Sequence, residues 1–274
     1  MKRGGSRLEP PRFRSADAAP RVARPFPPAI PHHRSDEPDG KAPVRQKKLI
    51  RPEPEDGVLS ARPGAPSTPA APGLHRLGMD ARQDALLYVP EGASVDRPLP
   101  LVLMLHGAGG GGQNALGLMR ALADERGLVL LAPDSRGRTW DVLLGAYGPD
   151  VAFLDRALAA VFDQCAVDAE RVAIGGFSDG ASYALSLGVA NGDLFTHVLA
   201  FSPGFVAPPA QRGAPRIYVS HGTRDAVLPI DRCSRHLVPR LQAAGYDVLY
   251  HEFDGPHTVP PTVAREAVDW FLEG

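Results

Sequence analysis

Arg171-Val-Ala-Ile-Gly-Gly-Phe-Ser178-Asp-Gly180-Ala-Ser-Tyr-Ala-Leu-Ser-Leu187 is the stretch from which the rest of this chain can be read. Residues 171–175 are an apolar run in a glycine-bounded frame, the pattern of a short buried strand. Residues 179–187 put Ala, Tyr, Leu and Leu on one side of a helix. Between them, Gly176-Phe-Ser178-Asp-Gly180 fits G-x-S-x-G. That strand-to-helix turn is so tight that the serine takes strained backbone angles and its hydroxyl stands above the sheet edge. Bulky side chains two residues to either side would meet the neighbouring strand and helix, and glycine occupies both positions.

Outward from this unit, strands and helices alternate. Apolar runs predict strands over 84–89, 98–106, 128–133, 197–201, 216–220 and 247–253. Helices are expected over 113–126, over 150–164 with Val151, Leu154, Leu158, Val161 and Phe162 at helical spacing, over 232–244, and from 263 onward. Pro239 predicts a kink or a broken first turn in the penultimate helix. Such alternation predicts an α/β fold, a mostly parallel central sheet with helices on both faces.

The chain has 274 residues, 43 % of them hydrophobic, and a formal net charge of −1. This length allows one large α/β domain or two small ones. The balance hides an asymmetry: residues 1–56 hold 13 Lys+Arg against 8 Asp+Glu, whereas residues 57–274 hold 17 against 23. Residues 1–56 are rich in proline and arginine, with Phe13 and Phe26 as the only aromatics, and are expected to be a disordered tail. Interspersed acids and the lack of stacking aromatics argue against a nucleic-acid partner. Residues 57–75 read as a proline-rich lead-in draped over the surface, and 76–274 as the folded domain. Cys165 and Cys233 have neither metal-ligand spacing nor a disulfide framework, so two buried free thiols are expected, and no metal site. Lys2-Arg3 is followed by no apolar segment, and runs such as 99–105 are too short to span a bilayer. The expected location is therefore cytoplasmic.

A serine hydroxyl becomes a nucleophile when a base takes its proton, and the base needs an orienting acid. Five histidines follow Ser178. His197 and His221 border strands and precede the best acid candidate, His236 lies in a helix, and His251 lies in a strand. His257, in Gly255-Pro-His257-Thr-Val, sits in a loop just past a strand end and can reach over the sheet edge. Asp225, in His221-Gly-Thr-Arg-Asp225-Ala-Val-Leu-Pro229, follows the strand 216–220 on the same rim, where open α/β sheets place their sites. Asp254 and Asp231 are the alternative acids. Two backbone donors would stabilise an oxyanion: the N–H of Asp179 at the start of the helix, and that of Ala108 in the loop His106-Gly107-Ala108-Gly109-Gly110. Gly107, Gly109, Gly112 and Asp134 also fit a dinucleotide-binding arrangement, but a run of four glycines satisfies many templates, and that reading leaves Ser178, Asp225 and His257 unused. No cofactor is expected.

On these residues the chain resembles the α/β-hydrolase superfamily, and more narrowly its phospholipase/carboxylesterase branch of small serine esterases. Leu105-His-Gly-Ala-Gly109, Gly176-Phe-Ser-Asp-Gly180, His221-Gly-Thr-Arg-Asp225 with Val227 and Pro229, and Gly255-Pro-His257 carry the resemblance, from about residue 84 onward. It implies a triad of Ser178, Asp225 and His257, oxyanion donors on Ala108 and Asp179, and a small-molecule ester as substrate. Many thioesterase-like members have glutamine after the nucleophile where this chain has Asp179. The Ser-Asp-Gly form is also similar to polyhydroxybutyrate-depolymerase-related esterases. Dienelactone hydrolases share the fold but use cysteine at the nucleophile position. Residues 202–215 are too few for a cap domain, which suits small or medium acyl chains. Trp140, Phe177 and Phe205 are the candidate pocket residues, with ordinary core packing as the competing role for each. Alternatives with the same triad are an acyltransferase, a thioesterase or a peptidase; a non-catalytic binding protein would use the same fold. The sequence leaves the oligomeric state open.

Overall fold

The computed structural model describes residues 57–144 and 147–273; the tail expected over residues 1–56 lies outside them. Eight strands form one sheet: β1 (Gly73–Arg76), β2 (Ala85–Val89), β3 (Leu99–Leu105), β4 (Val129–Pro133), β5 (Val167–Phe177), β6 (His197–Phe201), β7 (Arg216–Gly222) and β8 (Val248–Phe253). Their order is β1-β2-β4-β3-β5-β6-β7-β8. β1 and β2 are antiparallel, and every pairing from β4 through β8 is parallel. The helices are α1 (Gly112–Arg126), α2 (Pro149–Gln164), α3 (Asp179–Ala190), α4 (Ser234–Ala243) and α5 (Pro261–Glu273), with a 3-10 turn at Asp141–Leu144.

A parallel sheet covered on both faces needs strands that are apolar throughout. β3 is buried at all seven positions. Leu99, Leu101, Leu103 and Leu105 join the core under α2, α3 and α4, while Val102 and Met104 join the core under α1 and α5. This is the α/β arrangement expected from the sequence, and no cap domain is evident among the described residues. Residues 202–215 contain no helix.

Three differences have local causes. β1 was not expected, because four residues with alternating exposure give too short a signal. The lead-in is not simply draped over the surface. Leu59 is fully buried, its N–H donates to Asn191 Oδ1 at 2.7 Å, and the N–H groups of Ser60 and Ala61 donate to Asp155 Oδ1. α4 runs on through Pro239, and it starts at Ser234 rather than at the expected residue 232.

Register gathers the site. Leu105 pairs with Gly176, Phe177 with Phe201, Phe201 with Ser220, and Gly222 with Phe253. The loops after β3, β5, β7 and β8 therefore leave from one rim. β3 lies between β4 and β5, so the chain switches sides there, and the crevice outside the carboxyl ends of β3 and β5 is the expected place for a site.

Candidate active site

Ser178 has φ 58° and ψ −120°. Such a conformation costs a non-glycine residue about 1–3 kcal/mol and persists only where the surroundings over-determine it. They do so here. A Cβ on Gly176 would lie 2.3 Å from the carbonyl carbon of Gly180, and one on Gly180 would lie 2.4 Å from the carbonyl oxygen of Leu105. The Ser178 N–H donates to the Phe201 carbonyl at 2.9 Å, and the Ser178 carbonyl accepts from Ala181 and Ser182 at the start of α3.

Ser178 Oγ lies 2.9 Å from His257 Nε2, and His257 Nδ1 lies 2.5 Å from Asp225 Oδ2. Since a carboxylate only accepts, Nδ1 carries the proton and Nε2 is left to accept from the serine hydroxyl. Asp225 Oδ1 accepts from the N–H groups of Val227 and Leu228 at 2.9 and 2.8 Å. Burial raises the Asp225 carboxyl, but the Leu228 N–H, His257 and the Val227 N–H together hold it below the usual carboxylate range. Phe177 packs its ring 4.6 Å from that of His257.

His221 was not assigned a role from the sequence. It is fully buried, with Nδ1 2.7 Å from Ser234 Oγ and Nε2 2.8 Å from the Leu228 carbonyl and 3.2 Å from Asp225 Oδ2. Burial keeps its imidazole below its ordinary pKa despite these acceptors, so it braces the Asp225 loop as a neutral ring. Asp254 pairs with Arg224 and Asp231 with Arg235, so the alternative acids are engaged elsewhere and Asp225 is the carboxylate on His257. Of the other histidines, His251 pairs with Glu266, and His197 lies among Trp270 and Phe271 at the far end of β6.

The glycine loop leans directly on the elbow: a Cβ on Gly107 would be 3.3 Å from that of Ser178. Among the described residues the N–H groups of Ala108 and Asp179 donate to no carbonyl. Asp134 accepts from the N–H groups of Gly112 and Asp84 and so ties α1 to β2. Trp140, named as a pocket residue, is fully buried; its indole N–H donates to the His106 carbonyl at 2.9 Å and its ring stacks on Tyr183. It backs the site rather than lining it. Phe177 and Phe205 are half-buried, and Val227, two residues after Asp225, is 66 % exposed. Thr139, also unassigned from the sequence, donates its hydroxyl to Asp179 Oδ2 at 2.7 Å. Among the described residues no three His, Cys, Asp or Glu side chains are grouped so as to hold a metal ion.

Feruloyl esterase C of Emericella nidulans is 28 % identical over 158 residues, 54 % of this chain and 57 % of that protein. The chain thus spans less than two thirds of the curated relatives it matches. Among solved structures, the acetyl xylan esterase from Aspergillus awamori superposes with a TM-score of 0.59 at 17 % identity, covering 74 % of this chain and 100 % of that one. Esterase PE8 superposes with a TM-score of 0.53 at 24 % identity, covering 64 % and 93 %. These neighbours share the α/β-hydrolase fold. The family model for the PHB depolymerase esterases matches residues 84–229, more than half of the chain, from β2 through Ser178 and Asp225 but short of His257. The chain belongs to the esterase PHB depolymerase family.

Proposed function

We propose that the protein is a serine hydrolase that cleaves carboxylic esters through an acyl-enzyme on Ser178. The 2.9 Å contact between His257 Nε2 and Ser178 Oγ carries this reading. His257 takes the serine proton as Oγ attacks the ester carbonyl, and Asp225 holds the imidazole tautomer and stabilises the cation that forms. The N–H groups of Ala108 and Asp179 receive the oxyanion. His257 then protonates the leaving alcohol, and a water activated by the same imidazole releases the acid. Half-buried Phe177 beside His257, together with half-buried Phe205, supports a small or medium acyl group, aliphatic or aromatic; the names of the curated relatives make ferulate esters an early choice of substrate.

A cytoplasmic location is part of the proposal. Cys165 and Cys233 are free and buried, which fits a reducing compartment, and among the described residues no helix is long and apolar enough to cross a membrane.

The test is hydrolysis of p-nitrophenyl acetate, butyrate and octanoate and of methyl ferulate, beside Ser178→Ala. Loss of the nucleophile should lower kcat by about 10⁴-fold or more. Equal rates in the two proteins would overturn the assignment of Ser178. Added alcohol or amine acceptors distinguish hydrolysis from acyl transfer.

A further inference from the structure

We infer that Arg138, Thr139 and Trp140 form a clamp that sets the spacing of the two oxyanion donors, with Thr139 as the positioning residue that links it to the elbow. This rests on the hydrolase reading above. Three consecutive residues fasten three different points of the oxyanion frame. The Arg138 carbonyl accepts from the Gly109 N–H at 2.8 Å. The Thr139 hydroxyl donates to Asp179 Oδ2 at 2.7 Å. The Trp140 indole donates to the His106 carbonyl at 2.9 Å. His106 and Gly109 bracket Ala108, which carries one donor; Asp179 carries the other.

The clamp has a footing of its own. Asp150, in the first turn of α2 and 1 % exposed, accepts from the Arg136 N–H at 2.6 Å through one oxygen and from the Asp141 N–H at 2.7 Å through the other. Its carboxylate thereby brackets residues 138–140 from both sides. Trp140 is wedged against Tyr183 of α3, ring centroids 5.3 Å apart. By contrast Ala108, Gly109 and Gly110 are exposed, and a glycine-rich loop has little conformational preference of its own. Donors act only if they already stand where the oxyanion forms, so an external brace has a direct bearing on the rate.

The bond also disposes of a charge. Asp179 is the residue after the nucleophile, and a carboxylate turned toward the developing oxyanion would oppose it. In the structure Asp179 Oδ2 is engaged by Thr139 instead.

The experiment compares wild type, Thr139→Val, Thr139→Ser, Asp179→Ala and the Thr139→Val/Asp179→Ala double variant, with kcat and KM on p-nitrophenyl butyrate and a thermal melt for each. Thr139→Val should lower kcat about 10-fold with KM within about 2-fold, because the lost interaction serves the transition state. Thr139→Ser, which keeps the hydroxyl, should recover kcat to within about 3-fold of wild type, and in the Asp179→Ala background Thr139→Val should add less than about 2-fold. If the valine variant does not fold, Thr139→Ala removes the same hydroxyl without a methyl in its place. Wild-type kcat in Thr139→Val, a change in KM alone, or a serine variant as slow as the valine one would overturn the clamp while leaving the esterase standing. A wild-type protein that turned over no ester would overturn the hydrolase reading and the clamp's role with it.

Discussion

The two glycine-rich turns at the crevice look alike along the chain and are held in opposite ways. At the elbow, the backbone packs so closely that each glycine is enforced from within: added Cβ atoms at Gly176 and Gly180 would meet main-chain atoms at 2.3 and 2.4 Å. In the loop after β3, Gly109 has φ +68° and nothing within 4 Å of an added Cβ. A turn bond within the loop, from the Gly110 N–H to the Gly107 carbonyl, closes it, and its position is set from outside, by the Arg138 carbonyl and by the Trp140 indole on His106. One turn is rigid because it is crowded; the other is placed because it is tethered. In the proposed hydrolase a nucleophile needs a single strained geometry, whereas a donor loop must present N–H groups to a substrate and stay accessible, and the exposure of residues 108–110 fits that role.

Gly180→Ala should have the largest effect on this contrast. The new methyl has backbone on its path, so the elbow must move, and stability should fall by about 3 kcal/mol or more. A melt unchanged from wild type would mean that the crowding at the elbow does not hold it. Gly109→Ala should be milder, since only the left-handed backbone resists it, at about 1–2 kcal/mol. For a domain of this size that is a drop in Tm of about 2–8 °C. A loss as large as that of Gly180→Ala would erase the distinction between the two turns.

The smallest effect concerns the footing of the tether. Burial, reinforced by neighbouring Asp141 and opposed by the N–H of Arg136, raises the Asp150 carboxyl to about 6. Its folded pKa therefore stands above its unfolded value of about 3.9. The stability this group contributes is present below pH ~4 and lost as pH rises through about 6, because the native state holds the proton more tightly than the unfolded one. A carboxyl ¹³C titration of Asp150 should show a midpoint near 6; a midpoint in the ordinary carboxylate range would mean the acid is not buried as the structure has it.

Much of the fold was legible because its strongest signals are local. The apolar runs of β3, β4 and β7, and the helical spacing of Val151, Leu154 and Leu158, depend only on neighbours in sequence. β1 was not legible, since Gly73-Leu-His-Arg76 is a strand only by virtue of its antiparallel partner. Trp140 was ambiguous between pocket wall and core, and packing resolves it. An aromatic beside a predicted site can be wall or core, and only packing against Tyr183 and His106 makes this one a support. The lead-in likewise looked like a surface segment until Leu59 found its place beside Asn191.

By itself, the sequence determined the parallel α/β plan, the strained turn at Ser178 and the rim on which Asp225 and His257 stand, because periodicity, glycine spacing and order along the chain are properties of short segments. Only the tertiary structure decided how His257, 79 residues from Ser178 and 32 from Asp225, meets both, and how Thr139 reaches across 40 residues to Asp179. Those contacts are set by strand register and by the side to which each crossover turns, and no single segment carries that information.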